Sequence, residues 1–327
     1  MINLNEIKDK TILVTGGAGF IGSHLCDRLL ELGGKVICFD NFFTGKKENI
    51  AHNLGNANFI FTEGDANKYE NLSAVFHGNK INYVFHYAAV LGVKRVEENP
   101  LIVLPDIIGI ENILKLSREC GVKKVIFSSS SEAYGNSDVL PLHEDREREI
   151  NDSQGNNVHL YALVKLIGEK MINIYTDKYG LPTCSLRFFN VFGPRQESSA
   201  YGFVIGVFIK QIINNEVPTI FGDGYQTRDF IFIKDNVELA IITLLNPATN
   251  GEIINIGLGR QTTILELAEK LIRISGKALK PKFLPPRKYE IRYRSPDVSK
   301  MHRLLGKIED KLEENLKATY EYYKGMQ

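Results

Sequence analysis

In the first half of the chain, apolar residues gather in short, largely unbroken runs: Thr11 to Val14, Val36 to Phe39, Asn58 to Thr62, Tyr83 to Phe85 and Val125 to Phe127. Runs this short, without polar alternation, are what strands buried on both faces look like. Helical spacing fills the intervals, through Leu25, Leu29 and Leu30, over Ile107 to Cys120 and over His159 to Tyr179. Strands that alternate with helices predict an α/β fold: a Rossmann-like, doubly wound parallel sheet built by right-handed crossovers.

Beyond about residue 190 the alternation loosens. Pro194, Pro218, Pro247, Pro281, Pro285 and Pro286 punctuate shorter elements, and a glycine turn stands at Gly222-Asp223-Gly224. This predicts a smaller, mixed α/β lobe at the open edge of the sheet. Residues 1–189 form the sheet domain, with segments at about 226–250 returning to it, and 190–327 form mainly the lobe that takes substrate. No internal repeat is present.

Composition narrows the choice of partner. Forty basic side chains stand against thirty-nine acidic ones, and no basic block stands out, which argues against nucleic acid. The dense charge run from His143 to Glu149 alternates in sign and reads as a solvated loop. The opening MINLNEIKDK is polar and carries acids, unlike a signal or transit peptide, and no apolar run has the length of a membrane span. The expectation is a cytoplasmic protein without a membrane partner. Cys26, Cys38, Cys120 and Cys184 lack metal-type spacing and are expected to be free and packed, with no metal bound.

After the first run comes Thr15-Gly16-Gly17-Ala18-Gly19-Phe20-Ile21-Gly22, leading into a helical pattern at Ser23. The spacing G-x-x-G-x-x-G allows a tight turn and close approach of backbone N–H groups to a pyrophosphate, above the positive end of a helix dipole. Alone it would also suit an ordinary strand-to-helix turn; the strand before it and the helix after it favour a dinucleotide. Asp40 ends the second run, where a carboxylate accepts from ribose hydroxyls and repels a 2′-phosphate, so NAD is expected over NADP. A plain turn role suits Asp40 too, and Asp65 equally, although Asp65 has the place to meet an adenine edge.

Tyr161 and Lys165 lie four residues apart on a helix and so share a face. An ammonium there lowers a phenol's pKa and lets a tyrosinate serve as base. The spacing gains meaning from VIFSSSSEAYG at residues 125–135, where a buried strand runs into four serines and a glutamate.

With the glycine turn, the serine cluster and the Tyr–Lys pair together, the chain resembles the extended short-chain dehydrogenase/reductase family, and within it the NAD-dependent nucleotide-sugar epimerases and dehydratases. The resemblance runs from about Lys10 to Gly306 through VTGGAGFIGSHL, DNFFTG, HYAA, SSSSEAYG, YALVK, RFFNVFGPR, QTRDFIFIKD and INIG. It implies NAD held by Gly16, Gly19, Phe20, Ile21, Gly22, Asp40, Asn41, Thr44, Gly45, Asp65, Ala66 and Ala88, with Tyr161 and Lys165. It implies Tyr161 as base, Lys165 as its electrostatic partner, and Ser130 as the hydroxyl beside them on the sugar. Ser131, Asn190, Arg228 and Arg287 follow as contacts to a nucleoside-diphosphate sugar, the arginines suited to a diphosphate by their planar fork. The helices Ile107 to Cys120 and His159 to Tyr179 would pair across a homodimer.

Glu132 divides the reactions within the resemblance. In the dehydratases an acid near this place moves protons at C5 and C6. The decarboxylases share a Ser-Glu pair but add an arginine where this chain has Phe203. Two further departures are Asp106, where the family has asparagine, and Arg287-Lys288-Tyr289-Glu290, where it has an arginine-x-glycine-acid block. The resulting order is 4-epimerase first, then 4,6-dehydratase with Glu132, net C4 dehydrogenase, and decarboxylase last. The rival of another class is a non-catalytic NAD-binding scaffold, against which the joint presence of Ser130, Tyr161 and Lys165 weighs.

Overall fold

Each apolar run of the first half is a strand in the computed structural model, which describes residues 2–326 apart from 91, 136, 138, 147–159, 199–201 and 287–290, with the backbone alone for 93 and 94. Strands β1 (Thr11–Thr15), β2 (Lys35–Asp40), β3 (Phe59–Glu63), β4 (Tyr83–His86), β5 (Lys124–Ser130), β6 (Thr183–Phe188) and β7 (Ile253–Ile256) form one sheet in the order β7-β6-β5-β4-β1-β2-β3. Every pairing in it is parallel. The order reverses between β1 and β4, and crevices at the carboxyl ends of strands beside such a reversal are where ligands bind in these sheets.

The absence of polar alternation has its cause in two covered faces. Ile12 and Val14 of β1 turn to one core with Val36 and Cys38, while Leu13 turns to the other with Ile37 and Phe39. Helices α1 (Phe20–Glu31) and α6 (Ile233–Leu245) cover the first face; α2 (Tyr69–Gly78), α3 (Asp106–Glu119) and α4 (Leu160–Tyr179) cover the second. Each fully buried Leu or Ile among these contributes about 1.5–3 kcal/mol of transfer free energy.

Two boundaries differ from the sequence reading. Strand β5 continues three residues past its apolar triplet, because Ser128, Ser129 and Ser130 stay in register with Leu186, Arg187 and Phe188 of β6. Helix α1 starts at Phe20, not Ser23, with Gly19 in extended backbone as its N-cap.

In the second half, β7 joins the sheet as its edge strand beside β6, and α6 packs on the sheet's first face. The remainder is built of α5 (Val204–Ile213), α7 (Ile264–Ser275) and α8 (Leu312–Lys324) packed together, with short strand pairs beside them. Thr263 caps α7 by accepting from the Glu266 N–H at 3.0 Å, and Gly276 closes it at φ +69°. One small sheet joins Thr227–Arg228 to Thr262–Thr263 and to Tyr293–Arg294. The four cysteines are free thiols. Among the described residues, no helix is long and apolar enough to cross a membrane.

Candidate active site

A cavity of about 480 Å³ opens at the carboxyl ends of the strands and runs from the glycine turn to the second lobe. At its first end, glycine is required by close approach. A Cβ at Gly22 would stand 2.1 Å from the Gly16 carbonyl oxygen, and one at Gly16 (φ +69°) 2.7 Å from the Ala88 backbone nitrogen. The N-terminus of α1 therefore faces the cavity with bare backbone, as an anionic pyrophosphate needs. Asp40 stands 7% exposed beside it, its Oδ1 accepting from the Phe42 N–H at 2.8 Å and its Oδ2 from the Ala18 N–H at 3.0 Å. Burial raises the Asp40 pKa, against the lowering effect of these and neighbouring N–H groups. Asp40 lines the cavity at the carboxyl end of β2, where a ribose hydroxyl would meet it. The cradle thus fits the dinucleotide expected of it.

Of the residues assigned to that cofactor, Gly16, Gly19, Phe20, Ile21, Gly22, Asp40, Asn41, Thr44, Asp65, Ala66 and Ala88 all line this cavity. Gly45 does not; it lies against Asp40, where a Cβ would meet Oδ1 at 2.6 Å. Asp65 accepts from the Asn67 N–H at 3.0 Å, closing a local turn on the same wall.

The serine cluster splits by the alternation of β5. Ser128 Oγ donates to the His86 carbonyl at 3.2 Å, and Ser129 Oγ donates to Glu169 Oε1 at 2.6 Å on the α4 side. Ser130 Oγ accepts from the Glu132 N–H at 3.1 Å, on the cavity wall that Tyr161 shares. Helix α4 brings Tyr161 and Lys165 to the strand end, and the Lys165 ammonium donates to the Ser128 carbonyl at 2.7 Å, 5.6 Å from the Tyr161 ring centre. Ser130, Ser131, Glu132, Tyr161 and Lys165 share the cavity wall. Burial pushes the Lys165 pKa down to about 8, against Asp106 and Glu169, which raise it. Burial pushes the Tyr161 phenol above the usual tyrosine range, the Ser130 side chain lowers it, and the charges of Glu132 and Asp106 raise it further.

Under this wall lies a dry polar cluster. Arg187 Nε and Nη2 donate to the two Glu169 carboxylate oxygens at 2.8 and 2.9 Å, both side chains fully buried, and the guanidinium stacks 4.5 Å from the Tyr134 ring centre. It ties α4 to β5 and β6 directly beneath the Tyr–Lys pair.

Toward the second lobe, Asn190 lines the cavity and its side-chain N–H donates to the Asp229 carbonyl at 2.8 Å. Phe203 presents a half-exposed ring to the same space. Arg228 lies off the cavity wall, its Nη1 donating to the Thr227 carbonyl at 2.8 Å. Arg287, with the Arg287 to Glu290 block and the polar loop Asn151 to Asn157, lies outside the described residues.

Two features escaped the sequence reading. Arg294, 3% exposed, places Nη1 2.6 Å from Glu132 Oε1 and donates Nη2–H to the Gly135 carbonyl at 3.0 Å. Arg95 reaches from the short helix Val93–Glu98 to Glu197 on the lobe at 3.6 Å. Neither has a local signal; both pairs join segments far apart in the chain.

Residues 12–257 match the model of the NAD dependent epimerase/dehydratase family. A UDP-N-acetyl-alpha-D-glucosaminuronate decarboxylase of Bacillus cytotoxicus is 36% identical, over 90% of this chain and 91% of that protein. A UDP-glucose 4-epimerase of Mycolicibacterium smegmatis is 32% identical, over 95% of this chain and 98% of that one. Among solved structures, the UDP-glucose 4-epimerase of Thermotoga maritima with UDP-glucose superposes with a TM-score of 0.89 at 36% identity, covering 97% of this chain and 99% of that one.

Proposed function

Given that the chain belongs to the NAD-dependent epimerase/dehydratase family, we propose that it is a nucleotide-sugar 4-epimerase that oxidises C4 to a keto sugar and reduces it again on the other face. The observation that carries this is Ser130, Tyr161 and Lys165 gathered on one cavity wall, with the Lys165 ammonium fixed on the Ser128 carbonyl 5.6 Å from the Tyr161 ring centre. Bound NAD supplies the hydride acceptor and donor at C4, together with a positive ring while oxidised.

The chain's own groups manage the proton. Ser130 accepts or donates at the sugar hydroxyl and keeps it in line with Tyr161. Tyr161 takes the C4 hydroxyl proton as base. Burial opposes the phenolate, and the ammonium of Lys165 beside the ring offsets that cost. The same phenol returns the proton when the keto oxygen becomes an alkoxide. Gly16, Gly19, Gly22 and Asp40 hold the dinucleotide, and Asn190 and Arg287 hold the nucleoside diphosphate of the sugar. Arg228 is assigned to the same end.

A 4,6-dehydratase is the second reading, favoured by one observation: Glu132 faces the cavity with its side chain 41% exposed. Phe203 weighs against decarboxylation, since an apolar ring has nothing for a sugar carboxylate. The division into a sheet domain of residues 1–189, rejoined by the segments at about 226–250 and by β7, and a substrate lobe made mainly of the rest of 190–327 follows the same reading, with both lining the cavity.

The deciding experiment incubates the protein with a panel of nucleoside-diphosphate sugars and reads product masses. Unchanged mass with a new C4 epimer supports the proposal. Loss of water means dehydration, loss of carbon dioxide decarboxylation, and loss of two hydrogens net dehydrogenation; each of these overturns it.

A further inference from the structure

The chain leaving β6 carries Phe189, Asn190, Val191, Arg195, Gln196 and Glu197 past the cavity. At Arg195 its backbone turns through φ +64°, a left-handed conformation that long side chains rarely adopt. Such a conformation persists only where the surroundings hold it, and here they do so from several sides. The Pro194 carbonyl accepts from His24 at 3.0 Å, which puts the proton on Nε2 of that ring. Arg195 Nη1 lies 2.8 Å from Asp27 Oδ2. The buried Gln196 side chain donates to the Val191 carbonyl at 2.8 Å, and the Gln196 carbonyl accepts from the Tyr323 hydroxyl on α8.

His24 and Asp27 belong to α1. With Phe20 they follow one another at spacings of four and three, so all three share a face of the helix. The Phe20 and His24 rings meet edge to face at 6.0 Å, and Phe20 itself lines the cavity. Asp27 does not line it. Its other oxygen is taken as well: Oδ1 meets His52 Nε2 at 2.8 Å and the Asn53 side-chain N–H at 2.6 Å, both from the turn Ala51–Asn53. One helix therefore presents its N-terminus to the dinucleotide and its flank to the loop that the sugar would meet.

We propose that the His24–Pro194 and Asp27–Arg195 pairs form a strut between the cofactor helix and the sugar-facing loop, with Asp27 and Arg195 as positioning residues for hydride transfer at C4. This deepens the oxidation chemistry proposed above and rests on it. Hydride passes only when C4 and the nicotinamide meet within a narrow range of distance and angle. A loop that drifts by about 1 Å costs on the order of a hundredfold in rate. The strut thus acts on the rate of transfer more than on the strength with which the cofactor is held.

One arm of the test follows cofactor reduction in a single turnover, after NAD-loaded protein is mixed with an accepted sugar of the panel above. Asp27→Ala and Arg195→Ala should each slow it about ten- to a hundredfold while NAD affinity stays near the wild-type value. Arg195→Gly, which takes the left-handed turn without cost, should be slowed less than Arg195→Ala. Should Asp27→Ala fail to fold, Asp27→Asn, which keeps an acceptor for Asn53, carries the same expectation. Unchanged rates overturn the proposal, as does NAD affinity that falls in step with the rate.

The other arm needs no sugar. Burial, opposed by the Pro194 hydrogen bond, lowers the His24 pKa to about 4; the Arg195 and Lys234 charges lower it and Asp27 raises it. The His24 imidazole resonance, identified by its loss in His24→Gln, should titrate near there in NAD-loaded protein. In Arg195→Gly both the lost cation and any release of the loop act upward, so the midpoint should rise by about one pH unit or more. A midpoint that does not move overturns the strut. Absence of cofactor reduction with every sugar would defeat the oxidation reading, while the His24 shift would still establish the strut.

Discussion

Arg294 Nη1 lies 2.6 Å from Glu132 Oε1, an ion pair between a guanidinium 3% exposed and a carboxylate open to the cavity. The arginine is held from behind by the Gly135 carbonyl, so the glutamate is aimed by a buried partner and does not swing freely. An acid so engaged suits a fixed electrostatic element of the sugar site better than a mobile proton carrier. If the protein is a 4-epimerase, Glu132→Gln should change turnover by less than about tenfold. If it is a dehydratase, loss of the acid/base group should cost about a hundred- to ten-thousandfold while cofactor reduction on mixing persists. Stopped-flow absorbance of the reduced cofactor, with product masses, separates the two.

Tyr161→Phe should abolish cofactor reduction and product formation together, since the phenol stands with Ser130 and Lys165 on the cavity wall to take the C4 proton. A phenylalanine variant that still turns over would refute the mechanism.

The pH dependence has a definite sign. Lys165 acts as an ammonium, and burial places its pKa at about 8. Its charge is complete well below that value and is lost as pH rises through it, so turnover should decline on the alkaline side from about pH 8. A rate profile still rising beyond pH 9 would contradict this.

Asp40 should make the site selective for NAD, because a 2′-phosphate would approach a buried carboxylate. Asp40→Ala removes charge-assisted hydrogen bonds of about 1.5–3 kcal/mol, so NAD affinity should fall roughly ten- to hundredfold and selectivity over NADP should narrow. Calorimetric titration with both dinucleotides measures it; equal wild-type affinity for the two would sink the claim.

Arg187→Met should lower unfolding free energy by about 3–5 kcal/mol, since it leaves Glu169 charged and unpaired in the dry layer under α4. Denaturant unfolding monitored by circular dichroism reads this. A loss under about 1 kcal/mol would mean that water or Lys165 replaces the arginine.

Assembly is the remaining expectation. Leu163, Ile167 and Ile174 are exposed on one side of α4, and Ile108 on α3, whereas Val164 is buried. We propose that this apolar stripe pairs with its copy in a homodimer. Ile167→Glu should convert the dimer to monomer by light scattering at micromolar concentration; a monomeric wild-type protein would dispose of the idea.

Much of the architecture was legible one-dimensionally. An unbroken apolar run must be covered on both faces wherever it lies, so β1, β2 and β4 were recognisable without knowing their neighbours. The glycine turn was equally clear, because a strand-to-helix junction with bare backbone at Gly16 and Gly22 has few other uses. Tyr161 and Lys165 could be paired since helical spacing alone puts them on one face. The strand end was harder: Ser128 to Ser130 look like a loop until β6 pairs with them, a non-local hydrogen-bond ladder that side-chain polarity conceals. What Glu132 faces belongs to the three-dimensional arrangement. Arg294 arrives on a two-residue strand whose position is set by pairing with Thr227–Arg228, and nothing around Tyr293-Arg294-Ser295 forecasts that register. Local spacing fixes which residues can share a face of one element, but long-range strand pairing chooses which elements meet, and the charges around Glu132 and Lys165 depend on that choice.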